Sequence, residues 1–277
     1  MNELEFLWLS HFVGVDFRKY IELIKVFKDV EGIYSLSNNK NEFIKTLKKN
    51  KIYLEKEVLK KIISFDEKYN AKIKLLELKA NGVYIITLNN TKYSRFLNNE
   101  YIMFCYGNVK LLDNIKLSIY DSNNIKEKSY NLLNDLVYYL SKNNITIVSD
   151  NTNTFTNIYC SEILTYYKRE SFLNVSFKLD KGKNNIVLKD EFKLMSNISC
   201  GILFVPINYD IKAGTLTDMF LEQGKDILAI PSDIYNKDTY FSNFLIKCGA
   251  TVITSKKDLL YEVNYLSNLN INTRVLS

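Results

Sequence analysis

Residues 201–231 read GILFVPINYDIKAGTLTDMFLEQGKDILAIP, and this stretch decides the fold that the sequence predicts. Residues 201–207 and 226–231 are apolar runs of strand length, and residues 213–224 between them have the apolar spacing of a helix. Two apolar strands joined by one helix form a βαβ unit, which belongs in a parallel sheet covered on both faces. Such sheets bind ligands in the loops that follow their strands, so the loop before this helix is a candidate site.

The same alternation of strand and helix patterns extends over residues 83–277. Predicted strands lie at 83–88, 101–108, 117–120, 145–149, 172–179 and 250–255, and predicted helices at 126–143, 157–169, 191–199, 241–249 and 256–269. Regular alternation of this kind predicts an α/β class of fold, a doubly wound and mostly parallel Rossmann-like sheet. We assign this sheet to a domain of residues 83–277.

Residues 1–82 have helical spacing and predict a small helical N-terminal domain. Residues 4–12 and 17–27 are two amphipathic segments joined by a turn at Gly14, with Asp16 as the expected N-cap of the second. The pattern is typical of a helix-hairpin-helix or SAM-like domain that contacts a DNA backbone, and also of a plain packing element in a helical bundle. The lysines between residues 45 and 61 likewise fit two interpretations, a helix face that binds a ligand and a helix face that is merely exposed to solvent.

Composition excludes several classes of site. The single histidine, His11, lies in an apolar segment, which argues against a Ser-His-Asp triad or a histidine metal site. The four cysteines are far apart, and neither a G-x-G-x-x-G pattern nor a P-loop is present. We therefore predict no catalytic residue, no metal and no cofactor. A net charge of +6 and a pI of about 8.8 are compatible with a polyanionic partner.

Targeting signals are also missing from the sequence. No apolar run approaches the roughly 20 residues that a membrane helix needs, and the first residues, MNELEF, contain acids where a signal peptide has lysines. We expect a cytoplasmic protein without a membrane partner.

Three polar loops follow predicted strands, at residues 121–124, 149–156 and 209–215. Ala213, Gly214 and Thr215 would offer backbone amides, a hydroxyl and the positive end of a helix dipole, which suit a phosphate group. The same residues also fit an ordinary capped helix start, with glycine permitting close packing. The sequence alone leaves both interpretations open.

The stretch quoted above and the segment after it resemble the C-terminal signature of the DNA-processing protein A family (DprA, also called Smf). That signature reads roughly S-G-T-L-I-T-A-x-x-A-L-E-Q-G-K-x-V-F-A-V-P-G, followed by G-x-N-x-L-I-x-x-G-A. The matching positions are Gly214-Thr215-Leu216, Leu221-Glu222-Gln223-Gly224-Lys225, Ala229-Ile230-Pro231, Asn243, Leu245-Ile246 and Gly249-Ala250. The order of the helical domain, a segment at residues 82–97 and the sheet also agrees with the family.

The loop residues depart from the family pattern more than the residues of the predicted strands and helices do. The family's G-S-R falls on Asp121-Ser122-Asn123, so an asparagine stands at the DNA-contacting arginine. Lys193 stands at the second arginine of F-P-x-R-N-R, whereas Glu191 stands at the first, and Pro206 replaces a strand-end glutamate. Of the family's S-G-L-A-x-G-I-D-x-x-A-H, only Ser149 is kept, and we expect no C-terminal winged helix of the kind that many family members carry.

The resemblance implies a non-enzymatic homodimer that binds single-stranded DNA and helps load a RecA-like recombinase in DNA processing and natural transformation. We expect DNA binding to be weakened, because each lost phosphate contact removes an additive electrostatic contribution. The expected DNA-binding residues are Ser122, Asn123, Lys189, Phe192, Lys193, Lys212, Gly214, Thr215 and Asn243. The alternative is a nucleotide-phosphate-binding sensor or enzyme of the same superfamily, using the helix start at Gly214 and Thr215.

Overall fold

The computed structural model of the chain describes residues 2–97, 99–121, 127–150, 172–176, 185–187, 191–206 and 208–275. The chain divides into two units, Met1–Cys105 and Tyr106–Ser277. The change from helix to strand at residue 82 lies inside the first unit, which also holds two strands. The domain boundary at residue 82 stays a prediction.

The first unit is built from helices, as its apolar spacing predicts. They are α1 (Glu3–Leu7, continued by a π-helix Trp8–Val13), α2 (Phe17–Phe27), α3 (Val30–Leu36), α4 (Lys40–Lys49), α5 (Lys56–Ile62) and α6 (Phe65–Ala80). The strands β1 (Val83–Thr87) and β2 (Ile102–Tyr106) follow.

The turn between the π-helix and α2 forms as the sequence predicts. Gly14 has a φ of 82°, in the left-handed region that glycine tolerates without cost. The Asp16 carboxylate accepts the Lys19 amide at 2.7 Å and so caps α2. The Tyr101 hydroxyl donates to the Val15 carbonyl at 2.5 Å, which fastens this turn to the segment before β2.

A buried lysine fixes the inner face of α6. The Lys68 ammonium donates to the Tyr34 carbonyl at 2.8 Å and to Asn38 Oδ1 at 2.6 Å, and it lies 4.4 Å from the Tyr34 ring centre. Burial lowers the pKa of Lys68 to about 8, because desolvation disfavours the ammonium. These contacts hold α6 in one rotational setting against α3.

The second unit alternates strands and helices. Its strands are β3 (Ile115–Tyr120), β4 (Ile145–Asp150), β5 (Phe172–Ser176), β6 (Asn185–Val187), β7 (Gly201–Phe204), β8 (Asp226–Ala229) and β9 (Thr251–Val252). Its helices are α7 (Glu127–Lys142), α8 (Glu191–Ile198), α9 (Ile211–Glu222), α10 (Tyr240–Lys247) and α11 (Lys256–Val275).

The strands of the second unit lie in the order β6-β5-β4-β3-β7-β8-β9, and each neighbouring pair is parallel. With β6 set aside, numbering the strands along the chain gives 3-2-1-4-5-6, the order of doubly wound dinucleotide-binding sheets. The predicted Rossmann-like α/β fold is therefore confirmed. β3 is the central strand, with Ser118 beside Ile202 and Tyr120 beside Phe204 of β7.

Most predicted elements are confirmed within a few residues of their expected ends. The three-residue strand β6 was not predicted, because Asn185, Ile186 and Val187 are too few to show a period. The helix predicted at 157–169 lies outside the described residues. Among the residues that are described, no helix is long and apolar enough to cross a membrane.

Burial of the cysteines generates a prediction about thiol reactivity. Burial raises the pKa of Cys105 to about 12 and that of Cys200 to about 11, whereas the Cys248 side chain is exposed. Because the thiolate is the reactive form, a Cys160→Ser variant treated with Ellman's reagent at pH 8 should titrate one thiol rapidly and two more only after unfolding. Loss of the rapid phase in Cys160→Ser/Cys248→Ser is the control, and rapid reaction of three thiols would contradict the burial.

Candidate functional site

The strand order places a candidate site at the ends of β3 and β7. The order reverses between these two strands, and doubly wound sheets bind ligands in the crevice outside the carboxyl ends at that point. We call this side of the sheet the carboxyl edge. It comprises the ends of the strands and the first turns of α8, α9 and α10, since each of these helices follows a parallel strand.

A carboxylate of the protein itself occupies the helix start at this crevice. Asp210 caps α9 by accepting the Ala213 amide at 2.7 Å, and the Tyr120 hydroxyl donates to both Asp210 oxygens at 3.1 Å. Tyr120 is the last residue of β3, so this contact joins the end of β3 to the start of α9. The negative charge at the helix N-terminus is thus supplied internally.

Of the two interpretations of residues 213–215, the one with open backbone amides disagrees with the structure. Helix α9 begins at Ile211, the Ala213 amide is capped, and the Gly214 amide donates to the Asp210 carbonyl at 3.1 Å. The Thr215 hydroxyl donates to the Ile211 carbonyl at 2.9 Å. The physical reason is the Asp210 cap, which starts the helix two residues earlier than the motif suggests.

Gly214 leaves room for the Tyr209 ring at this position. A Cβ atom there would lie 3.0 Å from the Tyr209 hydroxyl oxygen and 3.2 Å from its ring. The Tyr209 ring in turn meets Phe241 edge-on, with ring centres 5.3 Å apart. The packing interpretation that the sequence left open therefore agrees with the observed contacts of Gly214.

The structure places several predicted site residues at helix starts on the carboxyl edge. Phe192 and Lys193 are half-buried in the first turn of α8, and Lys212 is exposed in the first turn of α9. Helix α8 packs against β4, β5 and α9, so the two helix starts belong to neighbouring elements. Ser122, Asn123 and Lys189 lie outside the described residues.

Asn243 is engaged within the protein. Its amide nitrogen donates to the Ser232 carbonyl at 2.9 Å, and its amide oxygen accepts the Ser232 backbone N–H at 3.0 Å. This two-point contact fixes the loop that follows β8. The aromatic cluster next to it was not predicted: Phe241 stacks on Phe244 with ring centres 5.9 Å apart.

The Gln223 and Lys225 side chains fasten the end of α8 to the turn before β8. The Lys225 ammonium is buried and donates to the carbonyls of Ser199 at 2.5 Å, Asn197 at 3.2 Å and Ser196. Gln223 donates to Asn197 Oδ1 at 2.9 Å and to the Ser196 hydroxyl. A cation at a helix C-terminus satisfies carbonyls that have no partner inside the helix.

Acidic residues also follow the strands at the candidate site. The Asp121 carboxylate, directly after β3, is fully buried. Asp190 lies outside the described residues. In the part of the chain that the structure describes, no group of three or more histidine, cysteine, aspartate or glutamate side chains is arranged to hold a metal ion.

Comparison with known proteins identifies the fold. No protein-family profile and no curated protein matches the sequence. DNA processing protein A (DprA) from Streptococcus pneumoniae matches the structure with a TM-score of 0.68 and 14% identity, over 95% of this chain and 98% of that one. DprA from Helicobacter pylori, solved to study its single-stranded-DNA-binding mode, matches with a TM-score of 0.52 and 16% identity, over 69% of this chain and 96% of that one. The chain therefore has a DprA-like fold, as the sequence resemblance implies.

The contacts of Lys225 generate a prediction about stability. Lys225→Met keeps the apolar stem but leaves helix-end carbonyls without their charged donor, so we expect the free energy of unfolding to fall by about 2–3 kcal/mol. Urea denaturation followed by far-UV circular dichroism measures the change. Lys212→Met, at an exposed position, is the matched control and should change stability by less than about 0.5 kcal/mol. Equal effects of the two substitutions would show that Lys225 does not fasten α8.

Proposed function

We propose that this protein binds single-stranded DNA at the carboxyl edge of its sheet and acts in DNA processing during natural transformation. In this proposal it is a cytoplasmic, non-enzymatic homodimer that helps load a RecA-like recombinase. The observation that carries the proposal is the DprA-like fold, which extends over 95% of the chain and includes the edge where such sheets bind ligands. The H. pylori relative, described as binding single-stranded DNA, supports the choice of ligand.

The charges at the carboxyl edge suit a phosphate backbone. Lys193 and Lys212 lie in the first turns of α8 and α9, where the helix dipole adds positive potential to each ammonium group. Backbone contacts of this kind are independent of sequence and additive. Lys189 just before α8, and Ser122 and Asn123 just after Asp121, extend the proposed path by their positions in the chain.

Phe192 provides the proposed base contact. It precedes Lys193 in the first turn of α8 and is half-buried, so part of the residue is exposed. Stacking of an unpaired base on an aromatic ring tolerates any base and is worth about 1–3 kcal/mol. Gly214, Thr215 and Asn243 take a supporting part in the proposal, because their observed contacts are within the protein and shape the edge.

The alternative of a nucleotide phosphate at the start of α9 has less support. Asp210 places a carboxylate where that phosphate would bind, and the Tyr120 hydroxyl holds it there. Two anions at one helix start repel each other. Thermal-shift measurements with nucleoside mono-, di- and triphosphates should therefore give no stabilisation, and a clear shift that disappears in Thr215→Ala would favour the alternative.

Salt dependence tests the proposed phosphate contacts. Fluorescence anisotropy with labelled oligo-dT should show binding at low salt, with affinity falling as salt increases. Lys193→Ala and Lys212→Ala should each reduce the slope of log K against log salt by about 0.7, because each removes one phosphate contact with a single strand. Lys193→Arg should keep the slope.

Lys142→Ala is the matched control for these variants. Lys142 is an exposed lysine in the last turn of α7, at the opposite edge of the sheet, and its removal should leave the slope unchanged. Absence of oligo-dT binding at low salt would overturn the proposed function. Binding with an unchanged slope in both lysine variants would move the site away from α8 and α9.

Substitution of Phe192 tests the proposed base stacking, separately from the phosphate contacts. Phe192→Ala should weaken oligo-dT binding by about 1–3 kcal/mol without changing the salt slope, because it removes stacking and no charge. Phe192→Tyr retains a ring and should bind nearly as the original protein does. Both variants are to be compared by the same anisotropy titration, and equal affinities would remove Phe192 from the site.

A further inference from the structure

The helices of the first unit carry their excess positive charge in one short segment. Residues 43–56, FIKTLKKNKIYLEK, contain five lysines and one glutamate, whereas the rest of residues 1–82 contains eleven basic and eleven acidic residues. We call residues 43–56 the basic segment. It comprises the second half of α4, the turn after that helix and the extended residues that lead into α5. The positive charge of these helices therefore has a single location.

The lysines of the basic segment lie on the side of the chain that faces solvent. Helix α4 buries Phe43 and Leu47, and at about 100° per residue Lys45, Lys48 and Lys49 lie on the opposite side. All five lysines of the segment are exposed, and none forms an ion pair with a residue that the structure describes. The ion pairs within residues 2–97 lie instead on α1, α2, α5 and α6. The charge of the segment is thus not neutralised by the protein itself.

Tyr53 stands among these lysines with its side chain in water. It is exposed to 81%, whereas its neighbours Ile52 and Leu54 are half-buried. Alternation of this kind in an extended chain turns the two aliphatic side chains toward the unit and the tyrosine toward solvent. Among the described residues, Tyr53 makes no hydrogen bond and no ring contact. An exposed ring between cationic side chains is the arrangement that binds unpaired bases and their phosphates.

The backbone of Lys51 adopts a conformation that favours glycine. Its φ is 55°, in the left-handed region. The Lys51 amide donates to the Lys48 carbonyl at 3.2 Å, and the Ile52 amide donates to the Leu47 carbonyl at 3.0 Å, which closes the end of α4. Glycine is the usual residue at such a helix end, because a Cβ atom is unfavourable there. Lysine is therefore the less stable choice at this position, and what its exposed side chain supplies is charge.

The turn at Gly14, the other candidate DNA contact in this unit, uses its amides internally. The Gly14 and Val15 amides both donate to the Leu9 carbonyl, at 3.2 and 3.1 Å. Val15 is buried, and its carbonyl accepts the Tyr101 hydroxyl. These amides are not available to a phosphate group. Of the two candidates, the basic segment is the one whose polar groups face solvent.

We propose that the basic segment is a second contact site for single-stranded DNA, at which the lysines bind phosphates and Tyr53 stacks on an unpaired base. The inference rests on the proposed function, because the ligand is the same strand, but it uses none of the residues of the carboxyl edge. The ring selects a single strand over a duplex, since the bases of a duplex are stacked on one another and present no free face.

Anisotropy titration with oligo-dT tests the stacking. Tyr53→Ala should weaken binding about 5- to 150-fold and leave the salt slope unchanged, whereas Tyr53→Phe keeps the ring and should bind nearly as the original protein does. Tyr69→Ala is the matched control, because Tyr69 is 55% exposed on α6 of the same unit and lies outside the basic segment. An unchanged affinity in Tyr53→Ala overturns the inference, including the case in which the lysines bind any polyanion.

The variant Lys51→Gly separates a role in binding from a role in folding. It removes one charge and suits the left-handed backbone, so the midpoint of thermal unfolding should stay the same or rise. The slope of log K against log salt for oligo-dT should fall by about 0.7, because one phosphate contact is lost. Lys28→Gly is the matched control, since Lys28 is an exposed lysine with a φ of 73° at the end of α2. A lower midpoint with a full slope in Lys51→Gly would show a structural lysine and overturn the inference.

Combination with the carboxyl-edge variants distinguishes this inference from the proposed function. In a Lys193→Ala/Lys212→Ala background, Tyr53→Ala should weaken oligo-dT binding by the same factor as in the original protein, because residues that share no contact contribute additively. Binding that depends on Lys193 and Lys212 but not on the basic segment removes the inference alone. Binding that depends on the basic segment but not on Lys193 and Lys212 removes the carboxyl-edge site alone. Absence of oligo-dT binding by the original protein removes both.

Discussion

The burial of one ammonium group anchors a helix whose first turn lies at the carboxyl edge of the sheet. A buried lysine must fill its hydrogen-bonding positions, and Lys225 does so with carbonyls at the end of α8. Since Lys225 immediately precedes β8, the end of α8 is held to the entrance of a core strand. A helix of eight residues has little freedom once its end is fixed, so the same contact helps to position its first turn, which contains Phe192 and Lys193. A proposed surface site thus depends on an interaction in the interior.

The residues that resemble the DprA signature therefore act mainly as architecture. Gln223 and Lys225 fasten α8, Asn243 holds the loop after β8, and Gly214 leaves room for the Tyr209 ring. None of these roles requires a ligand. These contacts hold the strands and helices in place, and so position the helix starts, whatever the loops between them bind. The fold can therefore agree with that of DprA while the loop sequences differ from the family pattern. Function in this chain has to be sought in the side chains that the frame presents.

The sequence predicted those strands and helices whose burial or capping requires a recognisable pattern of residues. Buried parallel strands such as β3 and β7 are continuous apolar runs, and Asp16 announces the start of α2. Strand β6 escaped notice because three residues show no period. The start of α9 was placed too late because the Ala213-Gly214-Thr215 motif was read as the helix start, although Asp210 is a local N-cap signal of the same kind as Asp16. For α6, the helical spacing of residues 1–82 predicted a helix, but only packing shows which of its apolar side chains are covered and which are left in water.

The proposed site and the proposed homodimer are physically complementary. Asn123 stands where the resembled family pattern has a DNA-contacting arginine, and each phosphate contact adds only a modest, salt-sensitive contribution. In the proposed homodimer, two carboxyl edges are available to one flexible strand. Once the first edge is bound, the second binds at an effective concentration in the millimolar range when the strand spans both sites, which raises overall affinity without any new contact. Under this proposal fewer phosphate contacts per copy are tolerable, and DNA binding should depend on protein concentration more steeply than a single site allows.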